Sequence, residues 1–576
     1  MQIDDDLLLN NIIKICDRVN SEAYLKENGI ENSVPFLQHP LDKDIKKELE
    51  SIKGKCSTAV EGREVIELSY AMNSDINKLW CRLIEKSIIC LRYFDKREPF
   101  MKNGKIPFAY GLDDTSDSLN EYHNKYIDFE GVLYGSDTYY RDHVFHVVRV
   151  WMLGIFLLMD DNTFINGKDG KTLIEMIHFE GDSPKEPFAD IKKYEKKLKK
   201  SSTGSICVKE HAQYYKICKG KDGEYEKFSV NNFSGEINSL EKFSMWTIMA
   251  LCHDLGYPLE KSKKILEKTE EMMAAFVSRP NIKGDLHFDG TRDSNNKDII
   301  LFTSKKMKAL GKKRKKIIYK ASIQEKYKFK YMLSLEAFAH GVISAIIIYK
   351  KLNYFKETDN NTNPDYEFEE EDARQFYIRR DILRAMASHT CPDIYHIDMA
   401  TFPMFLFVCD ELQEWGRKSW KNMYKGIKDN AVELSIESFN SEEIKYRETI
   451  NMSNADTEQI VDNIKRIWKH QYMKYKATFR DGQDTAKRKF DYIKNIVIKV
   501  NKDYQSIKQI NIELCINHDK DSVFVLVVED SGYKNDDNPR YNAGELCKKL
   551  AKFIEPFEKD RKYGECKMMG KKGEEK

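Results

Sequence analysis

The chain has no apolar run long enough to cross a membrane. Its most apolar stretch, "VWMLGIFLLM" from Val150 to Met159, is ten residues bounded by Arg149 and Asp160, whereas a span needs about 20. The opening "MQIDDDLLLNN" is acidic where a secretion signal would be basic, so no leader is expected. Twelve cysteines are scattered with no CxxC pair, which argues against a zinc ribbon or a disulfide framework and suits a reducing cytoplasm. There is no surplus of charge either: 95 Lys and Arg stand against 93 Asp and Glu, a net +2. A protein coating nucleic acid over its whole surface would be strongly basic, so nucleic acid is a disfavoured partner.

What is present is a long, folding-competent chain. Its 576 residues exceed what one core can hold, so two to four domains are expected. Residues 1–125 carry period-3.6 patterns, as in "VIELSYAMNSDINKLWCRLIEKSIICLRYF" from Val65 to Phe94. A central region, 126–428, is again helical but interrupted at about 160–238 and 282–332. The first interruption is rich in Gly and Lys, and "GSICVKE" and "QYYKICKG" read as short strands of an α+β flap. The second ends in a basic run, residues 305–330, with twelve Lys or Arg and one acid, Glu325. A solvated loop is the ordinary explanation, an anion-attracting rim the alternative. From 429 to 576 the pattern changes to α+β: "AVELSIES", "KQINIELCINH" and "DSVFVLVVED" alternate as strands, with helices around 456–479 and 544–557 and a Lys-rich tail. The expected fold is mainly α, with a helical core, an inserted flap and a C-terminal α+β domain.

Four of the thirteen histidines lie on strongly apolar helical patterns. They are His143 in "YRDHVFHVVRV", His253 in "ALCHDLGYP", His340 in "EAFAHGVISAIII" and His389 in "RAMASHTCPD". A fifth helix buries an acid, Asp410, behind Phe405, Leu406, Phe407 and Val408. Singly, each reads as a satisfied core polar group. Unpaired, each would cost about 1–3 kcal/mol, and convergence on a cation would remove that cost for all of them together. His146, one turn after His143, is an alternative first member, and His396 an alternative to His389.

In chain order the set is H, HD, H, H, D, and it resembles the HD superfamily of metal-dependent phosphohydrolases. "HG" at His340-Gly341 followed by Ser344 and Ala345 resembles the family's two-metal branch, as do "SHT" at His389 and "CDELQEWGR" after Asp410. Tyr257 stands where the cyclic-dinucleotide members have lysine, which speaks against that substrate. The resemblance implies an HD-type core over residues 135–420. It also implies metal ligands His143, His253, Asp254, His340, His389 and Asp410, with Asp254 bridging two divalent ions (Fe, Mn, Co, Ni or Zn). The implied chemistry is attack of metal-activated hydroxide on a nucleotide or another small phosphate ester.

Arg417, two helical turns beyond Asp410, and Arg384, five residues before His389, are the candidate phosphate contacts. The competing function is a nucleotide-sensing module that binds its ligand without efficient turnover. A third reading is a structural helical protein whose polar residues pair without metal. A homo-oligomer is left open.

Overall fold

The structure, a computed structural model, describes residues 1–27, 39–60, 63–66, 72–95, 118–136, 142–159, 172–179, 237–276, 294–313, 316–357, 366–391, 394, 400–417, 432–440, 443–452, 457–467, 491–500, 507–516, 523–530 and 565–569. Those residues are mostly helical, with one seven-stranded sheet and two hairpins. Among them, no single helix is long and apolar enough to cross a membrane.

The chain begins with strand β1 (Gln2–Ile3), then α1 (Asp5–Val19), α2 (Glu22–Glu27) and α3 (Lys43–Cys56). Asp4 and Asp42 cap α1 and α3, accepting from Leu7 N (2.8 Å) and Ile45 N (3.1 Å). Hairpin β2 (Ser57–Val60) and β3 (Arg63–Ile66) precedes α4 (Asn73–Tyr93) and α5 (Leu119–Ser136). Val65 and Ile66, read above as helical, therefore belong to a strand, which suits β-branched side chains better.

Next come α6 (Val144–Met159), α7 (Leu173–Met176), α8 (Ser239–Cys252), α9 (Tyr257–Phe276) and α10 (Ser294–Thr303). Every residue of α6 is buried, as a helix apolar on nearly all sides requires. A reciprocal capping box opens α8: Glu241 N donates to Asn238 (2.9 Å) and Asn238 N to Glu241 (3.2 Å). Hairpin β4 (Lys305–Lys313) and β5 (Lys316–Ile323) follows, then α11 (Glu325–Glu336), α12 (His340–Lys351), α13 (Glu370–Ser388) and α14 (Phe402–Leu412). The α8 helix packs against α4, α6 and α13, and α13 packs against α12 and α14.

The described part of the basic run is not a loop. Most of its described residues form β4, β5 and the start of α11, and Lys305, Lys328 and Lys330 are buried. Strand alternation turns Met307 and Tyr319 inward, and Tyr319 exchanges backbone hydrogen bonds of 2.9 and 2.8 Å with Phe368. The two strands expected in the 160–238 flap fall outside the described residues, as does the final helix at 544–557.

The last part of the chain adds β6 (Val432–Phe439), β7 (Glu443–Met452), α15 (Thr457–Arg466), β8 (Asp491–Val500), β9 (Ile507–Ile516), β10 (Val523–Asp530) and β11 (Glu565–Met569). The sheet order is β1-β6-β7-β8-β9-β10-β11. Neighbours are antiparallel except β7/β8, joined through α15, and β10/β11. The alternating segments at 507–516 and 523–530 do pair as antiparallel neighbours.

This sheet takes in the first residues of the chain and packs on the helices through β6. Gln2 and Ile3 pair with Ser435 and Leu434, and the Met1 amino group donates to Ile436 O at 2.8 Å. Phe439 of β6 meets Phe405 of α14 edge-on, ring centroids 6.3 Å apart, inside one continuous core. Phe439→Ala is expected to cost about 3–5 kcal/mol and to destabilise helices and sheet together in one urea transition. Two transitions, with the helical one unmoved, would show the sheet to be an independent unit.

Candidate metal centre

The polar residues of the apolar helices converge at helix ends. His253 and His389 are the residues that close α8 and α13. Each sends Nδ1 back to the carbonyl three residues earlier, Ala250 O at 2.8 Å and Met386 O at 2.6 Å. His340 opens α12, and Asp410 lies in the last turn of α14. His146 is in the first turn of α6, and Asp254 occupies the turn between α8 and α9.

Two local devices bring these ends together. Helix α11 stops in a Schellman-type turn, with Phe338 N donating to Leu335 O (3.0 Å) and Ala339 N to Ser334 O (2.9 Å). Phe338 takes the left-handed position usually held by glycine, φ 57°, and the next helix then starts at His340. The second device is close backbone approach. A Cβ on Gly341 would lie 2.5 Å from Met386 O and 2.9 Å from His389 Cε1, and one on Gly256 would lie 2.4 Å from His340 O. Ser344 Oγ accepts from Gly256 N at 2.8 Å. The "HG..SA" element thus packs α12 against both neighbouring turns.

All four imidazoles present the same atom inward. A backbone carbonyl can only accept, so Nδ1 of His253 and of His389 carries the proton. His340 Nδ1 donates to Glu260 Oε2 at 2.6 Å. His146 Nδ1 faces Gln413 Oε1, whose amide is oriented by Nε2 donating to Trp415 O at 2.7 Å. In the neutral ring each Nε2 therefore turns a lone pair into the cluster, an arrangement usual for metal-bound histidine.

His146 Nε2 lies 3.0 Å from Asp410 Oδ1 and 3.6 Å from Asp254 Oδ2. His253 Nε2 is 3.7 Å from Asp254 Oδ2 and from Asp410 Oδ1, and it is buried with no hydrogen bond among the described residues. His340 and His389 Nε2 lie 3.1 and 3.6 Å from Asp254 Oδ1, and 3.2 Å from each other. Two lone pairs at that distance repel unless a proton or a cation lies between them. Three groups, His146–His253–Asp254, His253–His389–Asp410 and Asp254–His340–His389, each bring their ligand atoms within 4.8 Å of one another. The donor set fits a metal ion.

Titration reflects the same crowding. Burial opposes ionisation of Asp254, but His253 and His340 hold its carboxyl well below the usual range. Asp410 is likewise held down, against burial, by His146 and His253. Burial also works against a charged His340, yet Asp254 and Glu260 carry it up to about 9. Burial pulls His389 down.

Five of the six expected ligands, His253, Asp254, His340, His389 and Asp410, are brought together. His143 is not. It precedes the first turn of α6, and its ring stacks on Tyr257 (centroids 3.7 Å apart) while Nε2 lies 3.4 Å from Arg417 Nη2. His146 takes the place in the cluster. Arg384 does not reach it either: it is fully buried and donates to Thr303 O and Lys305 O, both at 2.8 Å. Five residues put it about 140° around the helix from His389, so it anchors β4 instead. Arg417 does adjoin the cluster. His396 lies outside the described residues. Glu260 and Gln413, the side-chain acceptors behind His340 and His146, had no signature in the sequence, because nothing local distinguishes them from surface polar residues.

His146→Ala is expected to abolish metal retention, and His143→Ala to leave it intact, as read by elemental analysis. Gly341→Ala should also strip metal, since backbone carbonyl Met386 O cannot step aside as a side-chain tip would; an alanine variant with full metal content would refute the close-approach account. No family model matches this chain, and no curated protein or solved structure is detectably similar to it, so the converged side chains themselves are the ground for a functional reading.

Proposed function

We propose that the chain is a metal-dependent phosphohydrolase of the HD superfamily, hydrolysing a nucleotide or another small phosphate ester. The observation that carries this reading is the inward turn of four Nε2 atoms around the two oxygens of Asp254. Along the chain the ligands keep the order H, HD, H, H, D, now beginning at His146. They divide about Asp254. Its Oδ2 faces His146 and His253, with Asp410 completing that side, while its Oδ1 faces His340 and His389. Two divalent ions suit these two positions, and mixed imidazole and carboxylate donors favour Fe, Mn, Co, Ni or Zn. Bound ions supply Lewis acidity, making water more acidic at neutral pH and offsetting charge on phosphoryl oxygens.

The chain's own groups do the rest. Among the described residues Arg417 has no carboxylate within ion-pair distance, and its polar contact is the long one to His143. A guanidinium beside the cluster, in the field of Glu414, Asp254 and Asp410, is placed to bind phosphoryl oxygens. His143 stays neutral, its pKa pushed well down by burial and by Arg417, and with Tyr257 it walls the cluster. The neighbouring thiols of Cys252 and Cys409 are pushed well above their usual range, by burial first and by Cys81 and Asp410 respectively. Thiols held protonated are poor nucleophiles, which leaves water as the attacking group.

A nucleotide-sensing reading keeps one observation in its favour: the sheet touches α14 at Phe405, five residues before Asp410. Elemental analysis of chain purified without chelator, followed by assay on bis-p-nitrophenyl phosphate and a nucleotide panel, separates the two. The hydrolase reading expects metal and turnover, both lost in His253→Ala. Arg417→Ala should keep its metal and lose about 10²-fold in kcat/KM. Bound metal without turnover would favour the sensor, and turnover by metal-free chain would refute both.

A further inference from the structure

We infer that Glu260 is a positioning residue that sets the second of the two ion positions, the one bounded by His340, His389 and Asp254 Oδ1. The inference rests on the metal reading above. Glu260 stands in the first turn of α9, and its Oε2 accepts from both His340 N (3.1 Å) and His340 Nδ1 (2.6 Å). One oxygen thereby fixes where α12 begins and how its first imidazole is rotated. The other oxygen, Oε1, is 3.0 Å from Lys261 Nζ, which lies 4.7 Å over the Tyr257 ring. The carboxylate is therefore held at both ends.

The two ion positions are unequal in charge. The first has Asp410 and one oxygen of Asp254, whereas the second has only the other oxygen of Asp254 beside two imidazoles. A divalent ion there meets less compensating charge. The Nδ1 acceptors differ in the same sense: carbonyls of Ala250 and Met386, an amide at Gln413, and a carboxylate only at Glu260. A carboxylate behind a ligand imidazole orients it and strengthens it as a donor. Glu260 thus adds, through His340, the negative charge that the second position lacks.

The test is titration of chelator-stripped, full-length chain with Co(II), followed by calorimetry and by the visible absorption of the bound ion. Wild type should take up two ions. Glu260→Gln, close in shape but neutral, should bind the first within about 2-fold of wild type and the second about 10–100-fold more weakly. In a His340→Ala background, already without its second step, Glu260→Gln should change nothing further, because its effect runs through that imidazole. Equal weakening of both ions, or an additive loss in the His340→Ala background, would reduce Glu260 to a structural residue. Two ions bound with unchanged affinity in Glu260→Gln would likewise overturn its role while leaving the metal reading intact. A wild-type chain that binds no ion would overturn the metal reading and this inference with it.

Discussion

Four imidazole lone pairs and two ionised carboxylates face one another inside an apolar helical core, and the rest of the structure is arranged around that crowding. Acceptors outnumber donors there. Among the described residues His253 Nε2 has no hydrogen-bond partner, and the Nε2 atoms of His340 and His389 stand 3.2 Å apart. A buried acceptor left unsatisfied costs about 1–3 kcal/mol, so the cluster opposes folding unless protons or cations intervene. The raised pKa of His340 and the depressed carboxyls of Asp254 and Asp410 are the proton solution to this problem. A metal is the stronger solution, because one cation satisfies several lone pairs at once.

Convergence of this kind needs a scaffold that cannot relax. The loop leaving α14, which supplies Gln413 and Arg417, is pinned by a buried arginine. Arg149 of α6 binds Asp5 through Nε and Nη2, both at 2.9 Å, and reaches Asp142 and Gly416 O at 3.4 Å. Trp415 Nε1 donates to the same Asp5 carboxylate at 3.1 Å. Gly416 has φ +68° and lies so close to the Arg149 guanidinium that a Cβ would come within 2.9 Å. Glycine is needed there on both counts. A bidentate arginine with its remaining donors satisfied is tolerated in a core where a single charge would not be.

The sequence made the polar cluster legible but not its register. His253-Asp254, His340-Gly341, His389 and Asp410 stood out because a polar residue in an apolar helical pattern is conspicuous without any coordinates. His143 was chosen over His146 on that basis, and the choice failed because both precede apolar residues at helical spacing. The choice is made by where α6 begins and by Gln413, which is distant in sequence. Arg384 failed for the same reason: its partners are the carbonyls of Thr303 and Lys305, and backbone acceptors leave no mark in a sequence. The run at 305–330 misled differently. Its charge masked the alternation of Met307, Tyr319 and Ala321, which was enough to make a hairpin. Strands β7 and β8 were missed because polar residues such as Glu448 and Lys494 interrupt them, and these prove to be a buried pair 2.6 Å apart.

That pair also bears on how the His/Asp cluster is held. Burial pushes the Glu448 carboxyl up to about 7 against the pull of Lys494, and Glu414 and Glu411 at the end of α14 push it the same way. The charged groups of β7 and β8 therefore feel the end of the helix that delivers Asp410. From the other side, α14 is fixed by Trp246 of α8, whose ring lies 4.6 Å from Phe405, while Phe405 also meets Phe439 of the sheet. The sheet itself is completed by Gln2 and Ile3. The helix that carries Asp410 is thus packed by α8 and β6, and β6 is in turn paired with β1. A residue held from several parts of the chain cannot drift alone, which is what a crowded cluster of buried imidazoles and carboxylates requires if it is to stay converged.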